Sequence, residues 1–194
     1  MSGDDAVNRS GAGVKLTYDD FLLFPDDGKR HELIDGEHYV TPSPTFGHQG
    51  VIGNLYFLIR SYLESHNIGQ VFVAPLDTIL SKFDVVEPDL LFIARARAAE
   101  LLSSQWVTGA PDLVVEIGSP STRARDETIK RRLYERAGVS EYWFVDPQID
   151  VVRVYRREDD RFSRPRELAR ESGDILTTPL LPGLELALAD IFKE

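Results

Sequence analysis

The run Asp112-Leu-Val-Val-Glu-Ile117 is of strand length and almost wholly apolar, which suits a central strand buried on both faces of a sheet. Ser119-Pro-Ser-Thr122 then leads into a helix expected to reach about Ala137 and to close at Gly138. Glu141 to Asp146 reads as a second buried strand, and Val151 to Tyr155 as the start of an exposed antiparallel extension. Leu184 to Phe192 closes the chain.

Upstream, Thr17-Tyr-Asp-Asp20 has the form of a helix start, and Pro25-Asp-Asp-Gly28 ends that short helix. His31 to Ile34 and Glu37 to Val40 alternate around Asp35-Gly36, a two-residue turn signal that predicts a hairpin. From about Phe46 to His66, residues His48, Val51, Ile52, Leu55, Tyr56, Leu58, Ile59, Tyr62 and Leu63 fall in one arc of a helical wheel. An amphipathic helix against a core is expected there. Gln70 to Ala74, Asp77 to Leu80 and Asp89 to Ala94 read as strands, and Arg95 to Leu102 as a short helix. No internal repeat or low-complexity linker is present, so one domain over residues 14–194 is the simplest organisation.

Composition narrows the chemistry. With no cysteine, thiolate metal sites, disulfides and cysteine nucleophiles are excluded, and any metal must be held by oxygen or histidine. No stretch approaches the ~20 apolar residues of a membrane helix. Residues 1–13 lack the basic and apolar parts of a secretory signal, so they read as a flexible tail and the expected location is the cytoplasm. The net charge of −10 opposes non-specific DNA binding. It is unevenly spread, however: Arg123, Arg125, Lys130, Arg131, Arg132 and Arg136 form a basic strip within one predicted helix, and residues 153–170 are also rich in arginine. Solvated charges on a helix and a hairpin are the plainer reading of both clusters.

Three residues invite a chemical reading. Asp89 stands where a polar loop enters the apolar strand Leu90 to Ile93, and Glu116 ends a comparable strand. Two acids so placed on neighbouring strands could converge on a hard cation such as Mg²⁺; taken alone, either acid reads more simply as the mark of a strand end. Lys130 falls about 20° from Ala137 and about 60° from Leu133 on a helical wheel, so the apolar face of its helix contains a lysine. Its basic neighbours Arg125, Arg131, Arg132 and Arg136 lie on the opposite arc. An inner-face lysine must snorkel out or meet an acid, and Glu116 is the expected partner.

The strings Arg30-His-Glu-Leu-Ile-Asp-Gly-Glu37, Val86-Glu-Pro-Asp-Leu-Leu-Phe92, Gly109-Ala-Pro-Asp-Leu-Val-Val-Glu-Ile-Gly-Ser-Pro-Ser-Thr122, Lys130-Arg-Arg-Leu-Tyr-Glu-Arg-Ala-Gly-Val-Ser-Glu-Tyr-Trp-Phe-Val-Asp-Pro147 and Leu181-Pro-Gly-Leu184 together resemble the Uma-two family. These are restriction-type endonucleases within the PD-(D/E)XK superfamily, and the motifs match in order from about Leu16 to Phe192. The resemblance implies an α/β fold with a mixed α+β sheet, a restriction-endonuclease-like core with flanking helices, and a Mg²⁺-dependent nuclease site in which Mn²⁺ is the alternative metal. It assigns Asp89, Glu116 and the carbonyl of Ile117 to the metal and makes Lys130 catalytic. Glu32 matches an early family acid that binds metal or orients water. The sequence departs from the plain superfamily motif at Gly118, where lysine is usual; Lys130 matches the lysine that this family displaces onto the following helix.

His48 matches a histidine at the start of the family's long helix. With Arg123 and Arg125 it is expected to contact substrate, although a partly buried, locally bonded histidine is an equal reading. The expected activity is hydrolysis of DNA phosphodiesters by a homodimer, one site per strand, with Trp106 and the hairpin around Arg153 to Arg164 as candidate dimer surfaces. Two other readings remain: a nuclease-fold module that binds nucleic acid or protein without cutting, and a hydrolase of small phosphate esters.

Overall fold

The computed structural model describes residues 14–193, so the expected tail lies outside the described residues. Helix α1 (Tyr18–Phe21) opens with Asp20 Oδ2 accepting from the backbone N–H and the hydroxyl of Thr17. Strands β1 (Arg30–Ile34) and β2 (Glu37–Thr41) then form the hairpin, with Asp35 and Gly36 at φ of 54° and 76°. Two consecutive positive φ values give the twist that matches flanking strands, which is why Asp-Gly specifies this turn.

Helix α2 (Phe46–Ser65) buries His48, Val51, Leu55, Ile59 and Leu63 along one stripe. Its first turn is capped by Thr45, whose side chain accepts from the His48 N–H. There follow β3 (Gly69–Val73), β4 (Thr78–Ser81), β5 (Asp84–Val86), β6 (Leu90–Ala94), α3 (Ala98–Leu101), β7 (Val107–Thr108) and β8 (Leu113–Ile117). Helix α4 spans residues 123–137 and ends at Gly138, whose φ of 95° supplies the left-handed stop. After it come β9 (Glu141–Asp146), β10 (Val151–Glu158), β11 (Arg161–Phe162), β12 (Arg166–Ala169), β13 (Ile175–Leu176), β14 (Leu186–Ala187) and a closing turn of helix at Leu188–Ile191.

Two main sheets result. The larger has the order β11-β10-β9-β8-β6-β3, with β12 also on β10; the smaller runs β2-β1-β5-β4-β7. Among the described residues only β8 and β9 are parallel in the larger sheet, and α4 provides the crossover that a parallel pair requires. The sheet is therefore mixed, with helices on both faces. Leu113, Val115 and Ile117 of β8 pack with Val51, Leu55, Ile59 and Leu63 of α2. Val114 instead joins Leu133, Tyr134 and Val139 beneath α4. Because strand side chains alternate, Glu116 shares the face of Val114 and enters the protein under α4.

Three expectations need correction. Strand β10 is not an exposed extension: Val151, Val152, Val154 and Tyr155 are buried. Strand β12 pairs along it, while Val152 and Val154 pack in one cluster with Leu176, Leu181, Leu186 and Ile191 from the end of the chain. The helix after β6 covers only Ala98–Leu101, with Arg95 to Arg97 in a turn. Strands β5 and β7, three and two residues long, are additions that no hydrophobic period could signal. Among the described residues no helix is long and apolar enough to cross a membrane.

Candidate active site

A cavity of about 290 Å³ opens where α2 begins, β6 and β8 meet, and α4 crosses the sheet. The pairing of Leu90 with Val115 sets Asp89, one step before, opposite Glu116. The Ile117 N–H donates to Asp89 Oδ2 at 2.9 Å, which ties the two strands together at the cavity. His48, Asp89, Glu116, Ile117, Arg125 and Lys130 all line it.

Lys130 is 1% exposed. Its Nζ lies 2.7 Å from Glu32 Oε1 and 2.9 Å from Glu116 Oε1, so it bridges two buried glutamates. Burial alone would lower the lysine pKa, but the carboxylates of Glu116, Glu32 and Asp126 outweigh it and hold the ammonium above its ordinary value. Glu32 is fully buried behind Lys130. Burial pushes its pKa up, yet Lys130, Arg125 and the Glu87 N–H bring it below the usual carboxylate value.

Glu116 behaves in the opposite way. Its Oε1 accepts from Lys130 and, at 2.5 Å, from the Tyr134 hydroxyl, but burial dominates. Lys130 offsets that in part, the carboxylates of Asp89, Asp126 and Glu32 add to it, and the pKa rises to about 8. Burial raises Asp126 as well, and its Oδ1 is buried with no hydrogen-bond partner among the described residues. The cluster is short of positive charge.

Asp89 is the better-served acid. Arg30 donates to Oδ1 through both terminal nitrogens, at 3.1 and 3.2 Å, and His48 Nε2 meets Oδ2 at 3.1 Å. Burial raises its pKa, but His48, Arg30 and the Ile117 N–H bring it below normal. The Arg30 guanidinium also reaches the carbonyl and carboxylate of Glu87. Arg30 is the main site residue that sequence reasoning missed. The available signal was its position two before Glu32 on the same strand face.

The residues suit a hard divalent cation. Two carboxylates and a backbone carbonyl beside one cavity are oxygen donors of the kind Mg²⁺ takes. The raised Glu116 marks where positive charge is lacking; Asp126 Oδ1, which lacks a hydrogen bond among the described residues, has the Arg125 Nε at 3.9 Å. As arranged, no group of three or more acidic or histidine side chains among the described residues is already gathered as a ligand set. Arg30 and His48 occupy the oxygens of Asp89, so a cation there competes with them.

Local backbone explains two further placements. Asp126–Lys130 is a π turn within α4, with the Arg131 N–H bonded to Asp126 O. An i+5 bond widens the turn, so residues five apart lie closer round the axis than the roughly 140° that a regular helix would set between Arg125 and Lys130. The expectation that Arg125 lies opposite as a solvated charge is therefore corrected. It lines the cavity, donates to Thr41 Oγ1 at 2.9 Å and lies 3.5 Å from Glu32. At Gly118, a Cβ would stand 2.6 Å from Cζ of buried Phe144, so no side chain fits where the superfamily lysine is usual.

Arg123 is not brought to the cavity. It pairs with Asp146 at 2.7 Å and lies 3.5 Å from Glu127. Nor does α4 carry a free basic strip, because Arg136 pairs with Asp84 and Lys130 is buried. In the second cluster Arg153 pairs with Glu127 and Glu167, Arg156 with Glu141, and Arg170 with Asp150. Much of the apparent positive surface is consumed by neighbouring acids.

No curated protein matches the chain. A crystal structure described as that of "a putative nuclease belonging to DUF820 from Anabaena variabilis" is similar, with a TM-score of 0.77, 22% identity, and coverage of 91% of this chain and 97% of that one. At that identity the likeness shows the fold alone, a mixed sheet with flanking helices. The model of the Uma2 family, described as "Putative restriction endonuclease", matches residues 18–189, and the chain belongs to that family.

Proposed function

We propose that the chain is a divalent-cation-dependent endonuclease that hydrolyses DNA phosphodiesters at the Asp89–Glu116–Lys130 cavity. The observation that carries this is the buried Lys130 ammonium held between Glu32 and Glu116, at the edge of a cavity that Asp89 also lines. A site that only stabilised the fold would need no cavity beside so costly a charge. Asp89, Glu116 and the Ile117 carbonyl would hold Mg²⁺ or Mn²⁺, which when bound polarises a phosphate and acidifies a water.

The chain's own groups supply the rest. Lys130, kept protonated by its glutamates, donates to a nucleophilic water or to a phosphoryl oxygen and offsets negative charge in the transition state. Glu32 fixes the direction of the ammonium through the 2.7 Å contact. Arg125, which lines the cavity, is placed to meet a phosphate oxygen. His48 orients Asp89 through Nε2. A pair of copies related by a twofold axis would present one site to each strand of a duplex.

The test is incubation with supercoiled plasmid and a single-stranded oligonucleotide, with Mg²⁺, Mn²⁺ or chelator, for wild type and Glu116→Gln. Cation-dependent cleavage by wild type alone supports the proposal. Cleavage that survives chelation, or is unchanged in Glu116→Gln, overturns it. One observation favours a binding module that does not cut: protein donors already fill both oxygens of Asp89. Under that reading calorimetry detects no Mg²⁺ uptake, and DNA is bound uncut with a steep salt dependence.

A further inference from the structure

Helix α2 turns one face to the site and presents another to solvent, and the outer face has an unusual composition. Phe46 is 99% and Phe57 68% exposed. Between them Gly50 and Gly53 are exposed, with open space above each Cα. At 100° per residue these four positions fall within an arc of about 60°. Residues 46–59 contain no Asp, Glu, Lys or Arg, in a chain of net charge −10 whose composition is 28% charged.

The order Phe, Gly, Gly, Phe is symmetric about the point between Val51 and Ile52. An antiparallel second copy crossing there sets Phe46 against the partner's Phe57 and Gly50 against the partner's Gly53. Bulky side chains then flank a central notch in which the two backbones approach closely. This is the self-complementarity that a twofold contact demands. We propose that this face of α2 is the interface at which a second copy of the chain docks.

Three features select a second copy over another occupant. Two bodies that each carry −10 repel overall, which favours contact through a stretch without like charges, and residues 46–59 of α2 supply one. Beside Phe46 and Gly50 lies a cavity of about 520 Å³ walled by Val51, Pro147 and Phe192, which extends the apolar area beyond the roughly 16 Å of helix between the phenylalanines. Asp150, Arg170 and Lys193 also line that cavity. The antiparallel register sets the partner's Arg60 and Glu64, one of each sign, just beyond Phe46, so no like-charged pair of either residue is stacked on the apolar stretch. His48 lies on the opposite side of α2, so the site stays open when this face is covered.

The interface deepens the two-copy reading above but stands independently of metal binding and cleavage. The test is sedimentation equilibrium of the full chain from about 1 to 100 μM, with wild type, Phe46→Glu and Phe57→Glu. Both substitutions fall on exposed residues, and circular dichroism verifies the fold. The expected result is a wild-type dimer whose dissociation constant rises at least tenfold in each variant. A monomeric wild type across the range, or a dimer that both variants leave unchanged, overturns the proposal. Because the chain has no cysteine, Gly50→Cys and Gly53→Cys chains give a second readout. Mixed and oxidised, they should form an intermolecular disulfide more readily than either alone; equal yields in all three samples would place the contact elsewhere.

Discussion

Lys130 Nζ lies 2.9 Å from Glu116 Oε1, fourteen residues away in sequence, with both side chains buried. The strand alternation of β8 aims Glu116 under α4, and the inner face of α4 aims Lys130 back at it. Lys130 keeps its charge there because Glu116, Glu32 and Asp126 surround it, and it offsets part of the burial that disfavours the charge of Glu116.

Removing Lys130 therefore affects stability as well as activity. The sequence alone suggests that Lys130→Ala keeps the fold, but the structure leaves Glu32 and Glu116 buried without their shared cation. We expect a loss of about 3–5 kcal/mol in urea unfolding at pH 8, smaller at pH 5, where the glutamates take up protons. Abolished cleavage in this variant counts as catalytic only at temperatures where the melt shows it folded. An unchanged melting curve would contradict the buried bridge.

Stability of the cation-free protein should fall as pH rises through about 8. Glu116 binds its proton more tightly folded than unfolded, because burial and the adjacent acids disfavour its charge. Its contribution is complete below the unfolded value of about 4.5 and is lost through the folded value near 8. Thermal melts from pH 6 to 9 should show a decline that Glu116→Gln flattens. Mg²⁺ should reduce the decline by stabilising the ionised form, and a decline of the same size in Glu116→Gln would sink the assignment.

Arg30→Met should tighten Mg²⁺ binding while lowering the melting temperature of the cation-free protein. Arg30 now donates twice to Asp89 Oδ1, and a hydrogen bond to a charged group is worth about 1.5–3 kcal/mol, so the gain in affinity is roughly tenfold or more. Calorimetry of the two proteins measures it. Weaker binding in the variant would mean that Arg30 supports the cation rather than competing with it.

Gly118→Lys should not restore the usual superfamily lysine. Its Cβ would press on the Phe144 ring, which is fully buried and has no room to swing away. The expected cost is about 1–3 kcal/mol, with no recovery of cleavage when combined with Lys130→Ala. A stable variant with restored activity would refute the steric account.

Local chemistry in the sequence determined the hairpin at Asp35-Gly36, the long helix over Phe46–Ser65, the twice-buried strand Leu113–Ile117 and the capped crossover helix ending at Gly138. It also put Lys130 on an inner face, since helical periodicity is legible within one element. The tertiary structure alone decided the rest. A five-residue π turn, invisible to a fixed 100° period, brought Arg125 to the cavity, while pairing with Asp146 took Arg123 away. Arg30 and Asp89 meet across 59 residues because β1 and β6 belong to neighbouring sheets. The last seventeen described residues, 177–193, help bury β10, which looked like an exposed extension. Such contacts depend on which surfaces the packed elements leave adjacent, and periodicity along one segment carries no record of that.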